Sequence, residues 1–180
     1  MTDELLDIFD SSGHPLHRAK PRFETHHCGL WHRTAHIWIV NGMGMLLFQK
    51  RSLSKESFPG LWDVSAAGHV SAGEPLVAAA RREVLQELGI RVAHAELEFL
   101  FTTQTSSVQR EGTFVDNEFN YVYAVKRDVS IGELTLQESE VADAQYVPCG
   151  ELRRLAEAGD PAFAPHPEEY ARLRGYLCRP

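Results

Sequence analysis

A chain of 180 residues suits one domain with a buried core and at most short additions. Its 18 Lys and Arg against 25 Asp and Glu leave a formal net charge of −7. That balance excludes bulk attraction to nucleic acid or an anionic membrane, so a phosphate-bearing ligand must meet a local cluster of bases. No apolar run reaches the roughly 18 residues a bilayer span needs, and the acidic start MTDELLDIFD is unlike a secretory signal, so the expected location is the cytoplasm. Cys28, Cys149 and Cys178 are odd in number, widely spaced and without a C-x-x-C pair; they read as reduced thiols.

In chain order, residues 4 to 18 read as two short extended pieces around a Ser-Ser-Gly turn, followed by a polar stretch to Cys28. Residues 1–33 therefore form a cover on the same domain, with 34–180 as the domain proper. AHIWIV, the Asn41-Gly42 turn and MLLFQKR have the form of a hairpin. Ser52 to Gly60 is a polar loop, and LWDVSAAGHV reads as one strand leading into a helix. LEFLFTT (97–103) and FNYVYAV (119–125) suit strands, with a polar loop from Gln104 to Asn117 between them. Leu134 to Val147 carries Glu138 and Glu140 ahead of the short strand AQYVP. Helices are expected over Glu151 to Ala158 and near Glu168 to Leu177. The order β-β-β-α-β-β-β-α-α predicts an α/β fold, a mixed β-sheet with helices on both faces.

The helix after Pro75 carries the chemistry. Val77, Ala80, Val84 and Leu88 recur at three or four residues and define a packing side, while Glu83, Gln86 and Glu87 share another face. Pro75 suits the first turn and Gly89 the left-handed stop. Carboxylates at this spacing can hold a hard divalent cation by oxygen, with substrate phosphate completing the coordination.

The stretch GHVSAGEPLVAAARREVLQELGI resembles the signature of the Nudix hydrolase superfamily. Gly68, Glu74, Arg82, Glu83, Val84, Glu87, Gly89 and Ile90 all fall in register, and only Gln86 departs. The resemblance implies an α/β/α sandwich and a Mg²⁺- or Mn²⁺-dependent hydrolase of a small diphosphate compound, a nucleoside diphosphate linked to another group. By the same resemblance, Glu83 and Glu87 bind metal with the Gly68 carbonyl as a further ligand, while Glu74, Arg82 and Gly89 are structural.

Gln86 offers a neutral oxygen where the family has a third acid. Fewer metals, a compensating acid from elsewhere, or a non-catalytic diphosphate-binding module would each account for it. Asp116, Glu118, Glu138 and Glu140 are candidates for compensation, with Glu118 favoured as a ligand and Glu140 as a base.

A wider run, LWHRTAHIWIVN, LLFQKRSLSKESFPGLWDVSAAGH and DNEFNYVYAV, is similar to type I isopentenyl-diphosphate isomerases, a branch of the same superfamily. There a cysteine precedes the Gly-His pair and moves a proton at carbon; Ala67 stands here, which points away from isomerisation and toward isomerase-like hydrolases. His32, His69, Asp116 and Glu118 match metal-binding positions of that branch, while neither His26 nor His27 clearly matches its remaining histidine. Packing at a strand start for His32 and a loop cap for His69 is the alternative. Arg51 and Lys55 match bases that meet the diphosphate, and they answer the need for local positive charge. Trp31, Trp38, Trp62, Phe58, Phe114 and Phe119 could stack a base or line an apolar pocket, and most of them read as core. With no basic stripe interleaved with aromatics, macromolecular nucleic acid is not an expected partner. A small-molecule substrate is, and a homodimer stays open.

Overall fold

The computed structural model describes residues 4–177. Its centre is a seven-stranded mixed sheet. Strand β3 (His32–Val40) runs parallel to β8 (Phe114–Lys126), which continues antiparallel into β7 (Glu98–Gln109). On the other side β4 (Met45–Arg51) pairs with β3 at Val40↔Leu46 and with β9 (Val141–Pro148) along its length. The strand expected over LWDVSAAGHV is two. β5 (Trp62–Asp63) bonds to β4 and β6 (Ala66–His69) bonds to β3. Ser65 stands at the break, its hydroxyl donating to Leu47 O at 2.5 Å and accepting Ile39 N at 2.8 Å, so it joins β3 and β4 where their own pairing stops.

Period-two alternation divides the core between the two faces. Ala35, Ile37 and Ile39 of β3 pack with Ala80, Val84 and Leu88 of the helix that follows β6. That helix is α2 (Leu76–Leu88), and the short α1 (Arg22–His27) lies ahead of β3. Trp38 and Val40 point the opposite way and pack with Leu152 and Leu155 of α3 (Glu151–Ala158) and Tyr170 and Leu173 of α4 (Pro167–Leu177). Each fully buried side chain such as Val84 or Leu88 contributes roughly 1.5–3 kcal/mol. The result is the expected α/β/α sandwich. α2 starts one residue later than the proline rule suggests, with Pro75 extended at the cap position, and ends at Gly89 in the left-handed region (φ 74°).

β1 (Leu5–Phe9) and β2 (Pro15–Pro21) form a separate hairpin, docked through the Leu6↔Ser71 and Phe9↔Trp31 bridges. Two expectations change beyond it. The polar stretch before Cys28 contains α1, a single short turn without an apolar repeat, whose buried residues are Thr25 and His26. The polar loop from Gln104 to Asn117 is the far half of the β7–β8 hairpin, paired from Thr103↔Asn120 to Gln109↔Phe114. Its cross-strand bonds are polar, Ser106 Oγ to Asn117 Oδ1 at 2.6 Å and Asn120 Nδ2 to Thr105 Oγ1 at 3.1 Å, which is why no apolar alternation announces it. The cysteine reading is corrected as well: Cys149 is disulfide-bonded and Cys28 is free, while Cys178 lies outside the described residues.

Candidate active site

A cavity of about 290 Å³ opens between α2, the ends of β3 and β8, and the 52–60 loop. Glu83 and Glu87 enter it from α2. Glu87 Oε2 accepts Ala67 N at 3.0 Å and Gln49 Nε2 at 3.1 Å, so the carboxylate is held in one orientation. Burial, then the nearby Glu83, pushes its pKa up to about 8. Glu83 is also raised by burial, partly offset by Arg82. Gly68 is required beneath it, because a Cβ there would run into the Glu83 carboxylate.

Arg82 wires the middle of α2 to the loop before it. Its Nε and Nη2 donate to the two oxygens of Glu74 at 3.0 and 2.8 Å, Nη2 to His69 O at 3.0 Å, and Nη1 to Glu83 Oε1 at 2.5 Å. The amide oxygen of Gln86 accepts from the same Nη1 at 3.3 Å. The exposed Gln86 therefore leans on Arg82 within the structure.

Beside these acids stands a second group, His26, His32, His69, Asp116 and Glu118. The three histidines place ligand atoms within 4.8 Å of one another, as do His32, Asp116 and Glu118. His26 Nδ1 bonds Arg22 O at 2.8 Å and His32 Nδ1 bonds Leu30 O at 3.0 Å. Their Nε2 atoms turn inward, 3.4 and 3.6 Å from Asp116 Oδ1. Both His32 Nε2 and Asp116 Oδ1 are buried without a hydrogen-bond partner. An orphaned buried polar atom costs about 1–3 kcal/mol, and a cation between these donors would satisfy both.

The electrostatics agree with that reading. Burial lowers His32 to about 4 and holds His69 well below the usual imidazole range, keeping both neutral, as ligation requires. Burial, then Asp116, raises Glu118 well above the carboxylate range. Burial opposes Asp116, yet the neighbouring His26 and His32 outweigh this and lower it.

The opposite wall carries the bases. Lys55 pairs with Glu140. Arg51 donates to Asp63 Oδ2, Ser57 O and Ser57 Oγ, each at 2.9 Å, and so is fixed as a strut of the 52–60 loop. Asp63 also meets His166 Nε2 at 2.8 Å. Burial pushes Asp63 up, but His166 and Arg51 outweigh it and hold it well below the carboxylate range. Below the cavity Glu169 accepts His36 Nδ1 at 2.9 Å and Trp38 Nε1 at 2.6 Å, pinning α4 to the sheet.

Gly68, Glu83, Glu87, Glu118, Glu140, Arg51, Lys55, His69 and Asp116 thus share one cavity, while Glu138 is exposed outside it. His32 and His69 both stand in the cluster. Sequence reading left the third histidine unassigned: it is His26, delivered by α1, whereas His27 is exposed and stacks on Phe23. Gln49, His166 and Glu4 were also missed. Only Gln49, as an amide inside an apolar strand, carried a local signal.

Comparison with known proteins agrees with this geometry. The family model described as NUDIX domain matches residues 30–167. Nudix hydrolase 3 of Arabidopsis thaliana is 39% identical over 178 residues, covering 96% of this chain and 23% of that protein, so the chain spans about a quarter of that relative's length. An isopentenyl-diphosphate Delta-isomerase of Mycolicibacterium vanbaalenii is 30% identical over 159 residues, 88% of this chain and 84% of that one. Among solved structures, DR0079 from Deinococcus radiodurans superposes with a TM-score of 0.70 at 24% identity, covering 94% and 98% of the two chains, which speaks to the fold. No helix among the described residues is long and apolar enough to cross a membrane. With the family model over three-quarters of its length and the signature acids facing one cavity, the chain belongs to the Nudix hydrolase family.

Proposed function

We propose that this chain hydrolyses a small diphosphate compound, a nucleoside diphosphate linked to another group, by attack of water at phosphorus with Mg²⁺ or Mn²⁺ as cofactor. The observation that carries this is the Glu87 carboxylate, fixed by Ala67 N and Gln49 and facing a cavity that also holds Lys55 and Arg51. Glu83, Glu87 and the Gly68 carbonyl are the oxygen donors for one cation. His26, His32, His69, Asp116 and Glu118 are the donors for another. When bound, a divalent cation offsets charge on the phosphate oxygens and lowers the pKa of a coordinated water.

The chain's own residues do the rest. Lys55 exchanges Glu140 for substrate phosphate, which frees the Glu140 carboxylate to accept a proton from the attacking water. Arg51 holds the loop that carries Lys55. The reaction class fits a cytoplasmic enzyme. The test is a panel of diphosphates with Mg²⁺ or Mn²⁺ and a Glu87→Gln variant; turnover by neither protein, or equal turnover by both, defeats the reading.

The histidine cluster favours a second reading, isomerase-type chemistry on isopentenyl diphosphate. Ala67 opposes it, because its side chain carries no proton and its N–H is committed to Glu87. Deuterium incorporation from solvent into that substrate would establish the second reading, and its absence would remove it.

A further inference from the structure

The three histidines of the cluster differ in how their outer nitrogen is held. His26 and His32 give Nδ1 to main-chain oxygens, which fixes each ring and leaves Nε2 for the centre. The group facing His69 Nδ1 is a carboxylate: Glu4 Oε2 lies 3.8 Å away. Glu4 precedes β1, outside the family-matched residues 30–167.

Its placement is built. Ser71 Oγ donates to Glu4 Oε1 at 2.8 Å, which leaves Oε2 turned to the imidazole. The Glu4 carbonyl accepts Arg22 N at 2.7 Å, tying it to the start of the helix that brings His26. Ala72 N donates to Leu5 O at 2.7 Å, and Glu4 lines the same cavity as Glu83. One hairpin end thus touches both the loop of His69 and the helix of His26.

A neutral imidazole has one N–H, and a carboxylate beside one nitrogen decides which nitrogen keeps it. We propose that Glu4 is a positioning residue of the histidine–carboxylate metal centre, holding His69 in the tautomer that carries Nδ1–H and presents Nε2 to the ion. This rests on the metal reading of the cluster given above. It makes the N-terminal hairpin a part of the centre and not only a cover.

The experiment is calorimetric titration of the chelator-treated chain with Mn²⁺ alone, for the parent and for Glu4→Gln, Asp7→Asn and His32→Ala. Glu4→Gln should weaken the histidine-dependent site roughly 10- to 100-fold, the range for loss of a carboxylate behind a ligating histidine. Asp7→Asn is the structural control, because Asp7 docks the same hairpin through Gly73 N and Arg33 without touching the cluster. It should leave the affinity unchanged. Nitrogen-15 spectra of the Zn²⁺-loaded protein should show His69 as the Nδ1–H tautomer in the parent and a mixture in Glu4→Gln.

Equal Mn²⁺ affinity for Glu4→Gln and the parent overturns the proposal, as does an equal loss in Asp7→Asn or an unchanged tautomer. Those results leave the metal centre standing. Unchanged binding by His32→Ala, or none by the parent, defeats the centre itself, and the proposal falls with it.

Discussion

The cavity has two halves whose donors we read as cation ligands, and they are made in opposite ways. Glu83, Gln86 and Glu87 come from one turn and a half of α2, their spacing enforced by the helix itself. His26, His32, His69, Asp116 and Glu118 come from α1, β3, β6 and β8, and only tertiary contact unites them. The helix half offers oxygens from the buried Glu83 and Glu87 and the exposed Gln86; the cluster half mixes nitrogen and oxygen, with His26 and His32 buried and His69, Asp116 and Glu118 half-buried. A helix face tolerates a change such as Gln86 because its neighbours keep their places. A buried cluster that loses one donor leaves the others unpaired.

Four measurements can break or sharpen this contrast. The largest effect is expected from Glu87→Gln: several kcal/mol of charge stabilisation corresponds to a loss of about 100- to 1000-fold in kcat on any diphosphate the parent turns over. A smaller loss would move the chemistry to the cluster half. Second, His32→Ala should remove one bound Mn²⁺ per chain, counted by elemental analysis after dialysis, while a Glu87→Gln chain keeps that ion.

Third, Glu87 and His32 should give opposite pH responses in the metal-free protein. With Glu87 raised to about 8 from 4.5, the folded chain holds a proton that the unfolded chain releases, so stability falls as pH rises through that window. With His32 lowered to about 4 from 6.5, the unfolded chain takes a proton that the folded one refuses, so stability falls as pH drops through that range. Urea midpoints across pH in the presence of chelator should show a smaller first slope in Glu87→Gln, where Glu83 and Glu118 keep the remainder, and a smaller second slope in His32→Phe, where His69 keeps it. Fourth and smallest, Gln86→Glu should tighten Mg²⁺ binding several-fold, on the order of 1 kcal/mol for an added exposed charge near the ion. Titration calorimetry reads it; no change would mean that Arg82 absorbs the new carboxylate.

How much could be read in advance follows the same division. Val77 to Leu88 and Gly89 set out α2 and its acids, since a helix brings residues three and four apart together whatever surrounds it. The strands at LEFLFTT and FNYVYAV were legible because apolar or aromatic alternation is local. The far half of the β7–β8 hairpin was not, since Ser106, Asn117, Thr105 and Asn120 pair by side-chain hydrogen bonds and leave no apolar trace. His26 was passed over because α1 is one short turn with no repeat to mark it. Arg51 and Lys55 were found as bases, yet the partners that now hold them, Asp63 with Ser57 and Glu140, are 6 to 85 residues away.

By itself the sequence determined the sandwich, the signature helix and the single amide among its acids, because periodicity, capping and short-range spacing act within a few residues. Tertiary structure alone decided which histidines converge, that Glu4 reaches His69 and that Glu87 sits buried against Ala67 and Gln49. Those depend on where separate strands and helices end in space, and burial, which governs both the charge of Glu87 and the neutrality of His32, belongs to no one segment.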